Sequence, residues 1–243
     1  MLSNKAAPPG RSREEGEKPF WISYADLMTA LMILFLVIMV TSLVLVTQKI
    51  REATQDEEQR VSEISDLCRE LANNADLKNK VIQIDCKDNR INFGEAGRFG
   101  TGQFKLSSDG ENALLDVVPL ILQAANSEVG NKWFKQVLIE GFTDTDGSYL
   151  YNLNLSLRRS EWVMCTLIGD KNALKLRLDP DQKIQIKKLF LAGGVAFNNS
   201  KSTKDASRRV ELRLQFYGLK EREDLNPELD AKFSDSTEEK CFI

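Results

Sequence analysis

Residues 20–46 read FWISYADLMTALMILFLVIMVTSLVLV, and no charged residue occurs between Leu27 and Gln48. At about 1.5 Å per helical residue, that run matches a hydrocarbon core roughly 30 Å thick and predicts one transmembrane helix over 19–47. Pro19 suits the first helical position. The run exceeds the roughly 7 to 15 apolar residues of a secretory signal and lacks a small-residue cleavage site, so it is expected to remain in the mature chain. Asp26 stands one turn into this helix, beside Tyr24 and one turn before Thr29. A carboxylate in hydrocarbon is costly unless it meets a partner, a cation or a proton, whereas at headgroup depth the positive N-terminal dipole tolerates it. Position alone leaves both readings open.

The chain has 243 residues, room for this helix and one compact domain of ordinary size. Its formal net charge of −3 gives no sign of a nucleic-acid partner. Histidine is absent, which removes the commonest metal ligand and general base. No nucleophile–base pair or metal set is visible, and the chain is expected not to be an enzyme and to hold no cofactor. Lys5, Arg11, Arg13 and Lys18 precede the apolar run, while Lys49 and Arg51 follow it before the acidic Asp56, Glu57 and Glu58. That bias predicts a cytoplasmic N-terminus and an exported C-terminal bulk. All four cysteines lie in that bulk, where disulfides persist if the compartment is oxidising. Four cysteines allow three full pairings. A pair such as Cys68 with Cys86 is one option, and Cys165 is expected to be a small buried apolar residue.

Outside the apolar run, residues 1–18 read as a polar tail. Over 48–79, Ile50, Val61, Ile64, Leu67 and Leu71 form an apolar stripe among charged residues, predicting a helical linker whose stripe faces a second copy or stays solvated. From 80 to 217 the pattern becomes a domain of strands and helices. VIQIDCKDNRINF alternates around Lys87, Asp88 and Asn89 as a hairpin does. Ser107 or Ser108 caps a helix carrying Leu114, Leu115, Val118, Ile121 and Leu122 on one face. QVLIEGF (136–142) reads as a buried strand, 149–167 as a helix, and 168–187 as a lysine-rich connection containing Pro180. KLFLAGG and RRVELRLQF read as further strands. The class expected is an α+β domain, a mixed sheet with helices packed on one face. Residues 218–243 form a charged tail.

The residues suited to ligand chemistry lie in GFTDTDGSYLYNLNLSLRRSEWV, 141–163. Asp144 falls where a strand ends, and Asn152, Leu155, Ser156 and Arg159 recur at helical spacing on one face. A loop carboxylate opposite a helix guanidinium can grip a ligand bearing both an ammonium and a carboxylate. The same two groups can instead pair with each other and pin loop to helix.

Trp21, Tyr24, Ala25, Asp26, Met28, Thr29 and Ala30 resemble the head of the membrane helix of MotB-type stator subunits. The resemblance implies that Asp26 carries a translocated proton or sodium ion. Gly141, Thr143, Asp144, Gly147, Asn152, Leu155, Ser156 and Arg159, with SRRVEL (207–212) and FGTGQFKLSSDGENALL before the first helix, resemble the OmpA-like peptidoglycan-binding domain over about 81–216. It implies that Asp144 and Arg159 clasp the ammonium and carboxylate of diaminopimelate in a peptide stem. Asn152 and Tyr151 would be hydrogen-bonding or stacking neighbours and Leu155 the apolar floor. Phe142 and Ser207 depart from that pattern, where histidine and asparagine are usual. Arg208 and Arg209 either line the site or serve as structural ion pairs, and the second role is the one expected.

A membrane aspartate joined to a wall-binding domain is the arrangement of a stator. The short tail and compact linker resemble the stator-like subunits of Zorya anti-phage defence systems more than flagellar MotB. The resemblance implies a homodimer inside about five copies of a MotA/ZorA-like multi-span subunit, a hold on peptidoglycan, and signalling to cytoplasmic effectors through the complex. The alternatives are a flagellar stator and a passive tether between inner membrane and wall.

Overall fold

The computed structural model describes residues 20–169, 178–219, 221 and 240–242. The 1–18 tail with its basic residues, Pro19, the Trp21 side chain and most of the 218–243 tail lie outside the described residues. Contacts divide the chain into two compact units, one up to Gln55 and one from Asp56 on.

The first helix, α1, runs Phe20–Lys78. Within the first unit its described side chains, from Tyr24 to Gln55, are all exposed. The stretch is long and apolar enough to cross a membrane. Its hydroxyls do not disturb this: Thr29, Thr41, Ser42 and Thr47 each donate to a backbone carbonyl three or four residues earlier, so lipid meets none of these four unsatisfied.

The second unit is built on a five-stranded sheet. Its strands are β1 (Gln83–Asp85), β2 (Arg90–Asn92), β3 (Phe134–Gly141), β4 (Phe190–Gly194) and β5 (Val210–Phe216), in the order β1-β2-β5-β3-β4. Only β3 and β4 run parallel; the other pairs are antiparallel. The β1–β2 hairpin turns through Asn89, with φ of 53°, as expected from the sequence. The helices are α2 (Ser108–Ala125, capped by Ser107), α3 (Glu128–Trp133), α4 (Tyr149–Ile168), α5 (Pro180–Leu189) and α6 (Lys204–Ser207). The expected mixed α+β architecture is therefore present. Three helices go beyond the sequence reading: α5 lies largely in the stretch read as a connection, and α3 and α6 in stretches to which no element was assigned. Short helices carry little periodic signal, and α5 owes its start to a capping box between Asp179 and Gln182 with Pro180 at its head.

Strand alternation sorts the sheet into two faces. Ile91, Leu212 and Ile139 align across three strands and sit in one core with Val117 and Ile121 of α2, Val163 and Leu167 of α4, and Ile186 of α5. The opposite face is charged. Glu140 and Glu211 lie directly across from each other, and like charges so placed repel. Arg90 resolves this by donating to both, at 2.5 and 2.8 Å, and Arg209 adds a bond to Glu211 at 2.6 Å.

The apolar stripe of the predicted linker has a different destination from a second copy. Ile64, Leu67, Leu71 and Ala75 of α1 are buried, and the last three join the domain core. Glu63 accepts from Trp133 Nε1 and Lys132 Nζ, Arg60 Nε donates to Tyr217 O, and Cys68 is disulfide-bonded to Cys86. Only Ile50 and Val61 of the stripe remain exposed. Cys165 is likewise corrected: it is half-buried and bonded to Cys241 instead of filling the core as a free thiol.

Candidate functional site

The site forms where β3 ends and α4 begins. Gly141, the last residue of β3, admits α4 at close range: a Cβ there would lie 2.1 Å from Ser156 O. Ser156 is buried, donates to Leu153 O and accepts from Ala196 N, tying α4 to the segment after β4. Between β3 and α4 the chain turns through Gly147, with φ of 91°, and Ser148 caps the helix through Tyr151 N. Asn152 Nδ2 donates to Asp146 O at 2.7 Å and to Ser148 O at 3.1 Å, so its amide holds the turn closed.

Asp144, Tyr151, Asn152, Leu155 and Arg159, all five residues singled out from the sequence, line one cavity of about 230 Å³. Thr101, Gly102, Thr143 and Arg208 also line it. The hydroxyl of Thr143 is buried and has no hydrogen-bond partner among the described residues. An unpaired buried hydroxyl is costly, and here it borders a space that a polar ligand or water can enter.

The charges are arranged differently from either expectation. Asp144 and Arg159 do not form a direct pair. Asp144 Oδ2 accepts from Arg208 Nη1 at 2.9 Å and Oδ1 from its own turn at Asp146 N. Arg159, fully buried, donates to the carbonyls of Gln103, Phe142 and Gly100 and lies over the Phe99 ring, 4.6 Å from its centroid. Burial lowers its pKa to about 10; the Asp144 charge opposes that shift and Arg208 adds to it, so the group stays cationic at neutral pH. Two of its five N–H groups remain uncommitted to those carbonyls. The cavity thus presents one carboxylate and two guanidiniums to a ligand.

Arg208 is the functional candidate that sequence reasoning assigned elsewhere. The Arg-Arg pair before a strand was its signal, because successive residues of an extended chain point opposite ways. Arg209 takes the other direction, as a structural partner of Glu211 that lies over Phe142. Around the rim, Lys204 donates to both oxygens of Asp146, and that bond raises the lysine's pKa. Asp26 belongs to the other unit; Thr29 Oγ1 donates to its backbone carbonyl, and its carboxylate has no hydrogen bond or ion pair among the described residues.

A family model described as the membrane MotB of the proton-channel complex MotA/MotB matches residues 4–55. The Zorya protein ZorB of Escherichia coli O139:H28 (strain E24377A / ETEC) is 60% identical over 230 residues, spanning 95% of this chain and 94% of that protein. The chain belongs to the ZorB family. The Zorya resemblance therefore extends over nearly the whole chain, and the flagellar alternative is not favoured. Solved structures similar to this ZorB-family chain include a putative MotB-like protein from Desulfovibrio vulgaris, at 18% identity and TM-score 0.38, covering 69% of this chain and 98% of that one. The periplasmic domain of Helicobacter pylori MotB gives 14% and 0.37, covering 54% and 75%. The OmpA-like domain of FopA1 from Francisella tularensis subsp. tularensis SCHU S4 gives 17% and 0.35, covering 56% and 82%.

Proposed function

We propose that this ZorB-family chain is the wall-holding stator subunit of an ion-driven Zorya motor, with Asp26 as the carrier of the translocated proton or sodium ion. The observation that carries this reading is the Asp26 carboxylate itself. It stands at the head of a charge-free apolar helix, and no group of its own chain among the described residues binds it. A carboxylate so placed calls for a partner from another subunit or for a cation that neutralises it in passing. The partner is a MotA/ZorA-like multi-span subunit, five copies around two of this chain. The helix crosses the inner membrane once with its N-terminus in the cytoplasm. Both disulfides follow the apolar stretch, which supports an oxidising periplasm for the second unit.

The second unit holds peptidoglycan through its charged cavity. Asp144 takes the ammonium and Arg159 and Arg208 take the carboxylate of a diaminopimelate side chain, with Leu155 beneath it and Tyr151 at the rim. Cytoplasmic effectors are reached through the assembled complex.

The test is ion flux into vesicles containing this chain and its multi-span partner, comparing wild type with Asp26→Asn and separating proton from sodium currents. Flux in wild type and none in the variant is the expected result. Equal flux in both, or none in either, overturns the motor reading and leaves a passive tether.

A further inference from the structure

A second cavity of the second unit is larger than the charged one. It holds about 1020 Å³ and lies between the β1–β2 hairpin, the N-terminal turns of α2 and the segment before α6. Four of its ionic groups are paired. Arg98 bonds Glu95 and Asp205, and Arg209 bonds Glu211. What remains free is Asp109 and Lys201, one charge of each sign, and the neutral side chains of Gln83, Asn112 and Ser202: all five are exposed and make no hydrogen bond or ion pair among the described residues. Asn92 uses only its carbonyl oxygen, on Gly94 N, leaving its NH₂ free, and Val81 adds exposed apolar surface. Amides and hydroxyls that both donate and accept match sugar hydroxyl and acetamido groups, and an apolar patch matches a sugar's C–H face.

The two cavities are linked by one chain of ion pairs. Asp205 accepts from Arg98 of the groove at 2.8 Å and from Arg208 at 3.0 Å, and Arg208 reaches Asp144 of the charged cavity at 2.9 Å. A polymer whose charged side branch enters the smaller cavity has its backbone within reach of the groove.

We propose that this groove seats the sugar backbone of peptidoglycan, a second subsite beside the one that takes the charged stem. The proposal rests on the peptidoglycan reading of the domain but uses different residues and a different part of the polymer.

The two subsites separate experimentally. Full-length protein in detergent is titrated with glycan strands stripped of peptide by an amidase, and separately with a diaminopimelate-containing stem peptide. Wild type is expected to bind both. Gln83→Ala combined with Asn112→Ala, both exposed positions, is expected to weaken glycan binding about tenfold and leave stem binding unchanged, each lost hydrogen bond contributing a few-fold. Asp144→Ala is expected to do the reverse. Stripped strands that do not bind wild type, or that bind the double variant as tightly, overturn the proposal. Strands that bind and lose affinity in the double variant, with no stem binding by wild type, support the groove while refuting the charged cavity as a stem site.

Discussion

Arg208 Nη1 donates to Asp144 Oδ2 at 2.9 Å, whereas Arg159, the arginine that sequence spacing places opposite Asp144, spends its guanidinium on three backbone carbonyls. The two arginines therefore do different work. Arg208→Gln is expected to weaken stem-peptide binding by about 2–5 kcal/mol, the range for losing one partner of a buried charge pair with a ligand, and to cost the fold less than that, because glutamine keeps a donor for the Asp144 carboxylate. Arg159→Met is expected to destabilise the domain itself by roughly 3 kcal/mol, because three carbonyls lose their donor. Calorimetric titration with the stem peptide, paired with urea denaturation, separates the two; equal loss of stability in both variants would contradict the division.

The stripe of α1 supplies a second contrast. Leu71→Ala should destabilise the second unit by about 2–5 kcal/mol, since Leu71 is packed among core side chains. Val61→Ala, at an exposed position of the same stripe, should change stability by no more than about 0.5 kcal/mol. Urea midpoints of the two variants check this. If the Leu71 variant is as stable as wild type, the stripe is not part of the core.

Glu63 makes stability depend on acid. The Trp133 hydrogen bond, with those of Lys132 and Gln59, lowers its pKa from 4.5 to about 2. The native state therefore favours the ionised form, and the stabilisation is present in full above about pH 4.5 and fades as pH falls toward 2. The gap in urea midpoint between wild type and Glu63→Gln should be widest at pH 5 and above and should close between pH 4.5 and 2. A gap that stays constant across that window would mean the carboxylate is not engaged as described.

The Cys68–Cys86 disulfide closes a segment 18 residues apart in sequence and ties α1 to the β1–β2 hairpin. Replacing both by serine should lower unfolding free energy by about 3 kcal/mol on the chain-entropy account. Denaturation with and without reductant gives the same comparison in wild type: the reductant should lower the midpoint of wild type by more than that of the double variant.

The membrane helix was legible in the sequence because it depends only on local length and apolarity, and so was the mixed α+β class. A serine cap at Ser107 or Ser108 and the strands β1, β2, β3 and β5 were legible for the same reason, since capping and strand pleating act within a few residues; the structure selects Ser107. Four of the five cavity residues share the first turns of α4; helical spacing brought Asn152, Leu155 and Arg159 together, Asp144 followed as the residue ending the preceding strand, and Tyr151 came only with the family resemblance.

Tertiary structure alone decided the rest. It chose Arg208 over Arg159 for Asp144, sent Leu67 and Leu71 into their own chain's core, and paired Cys68 with Cys86 and Cys165 with Cys241. Each of these is a choice among groups of the same chemical type at distant positions. An arginine, a leucine stripe or a thiol has the same local preference whichever partner it meets, and only the closed packing of the sheet and its helices puts one partner within reach and leaves the others outside it.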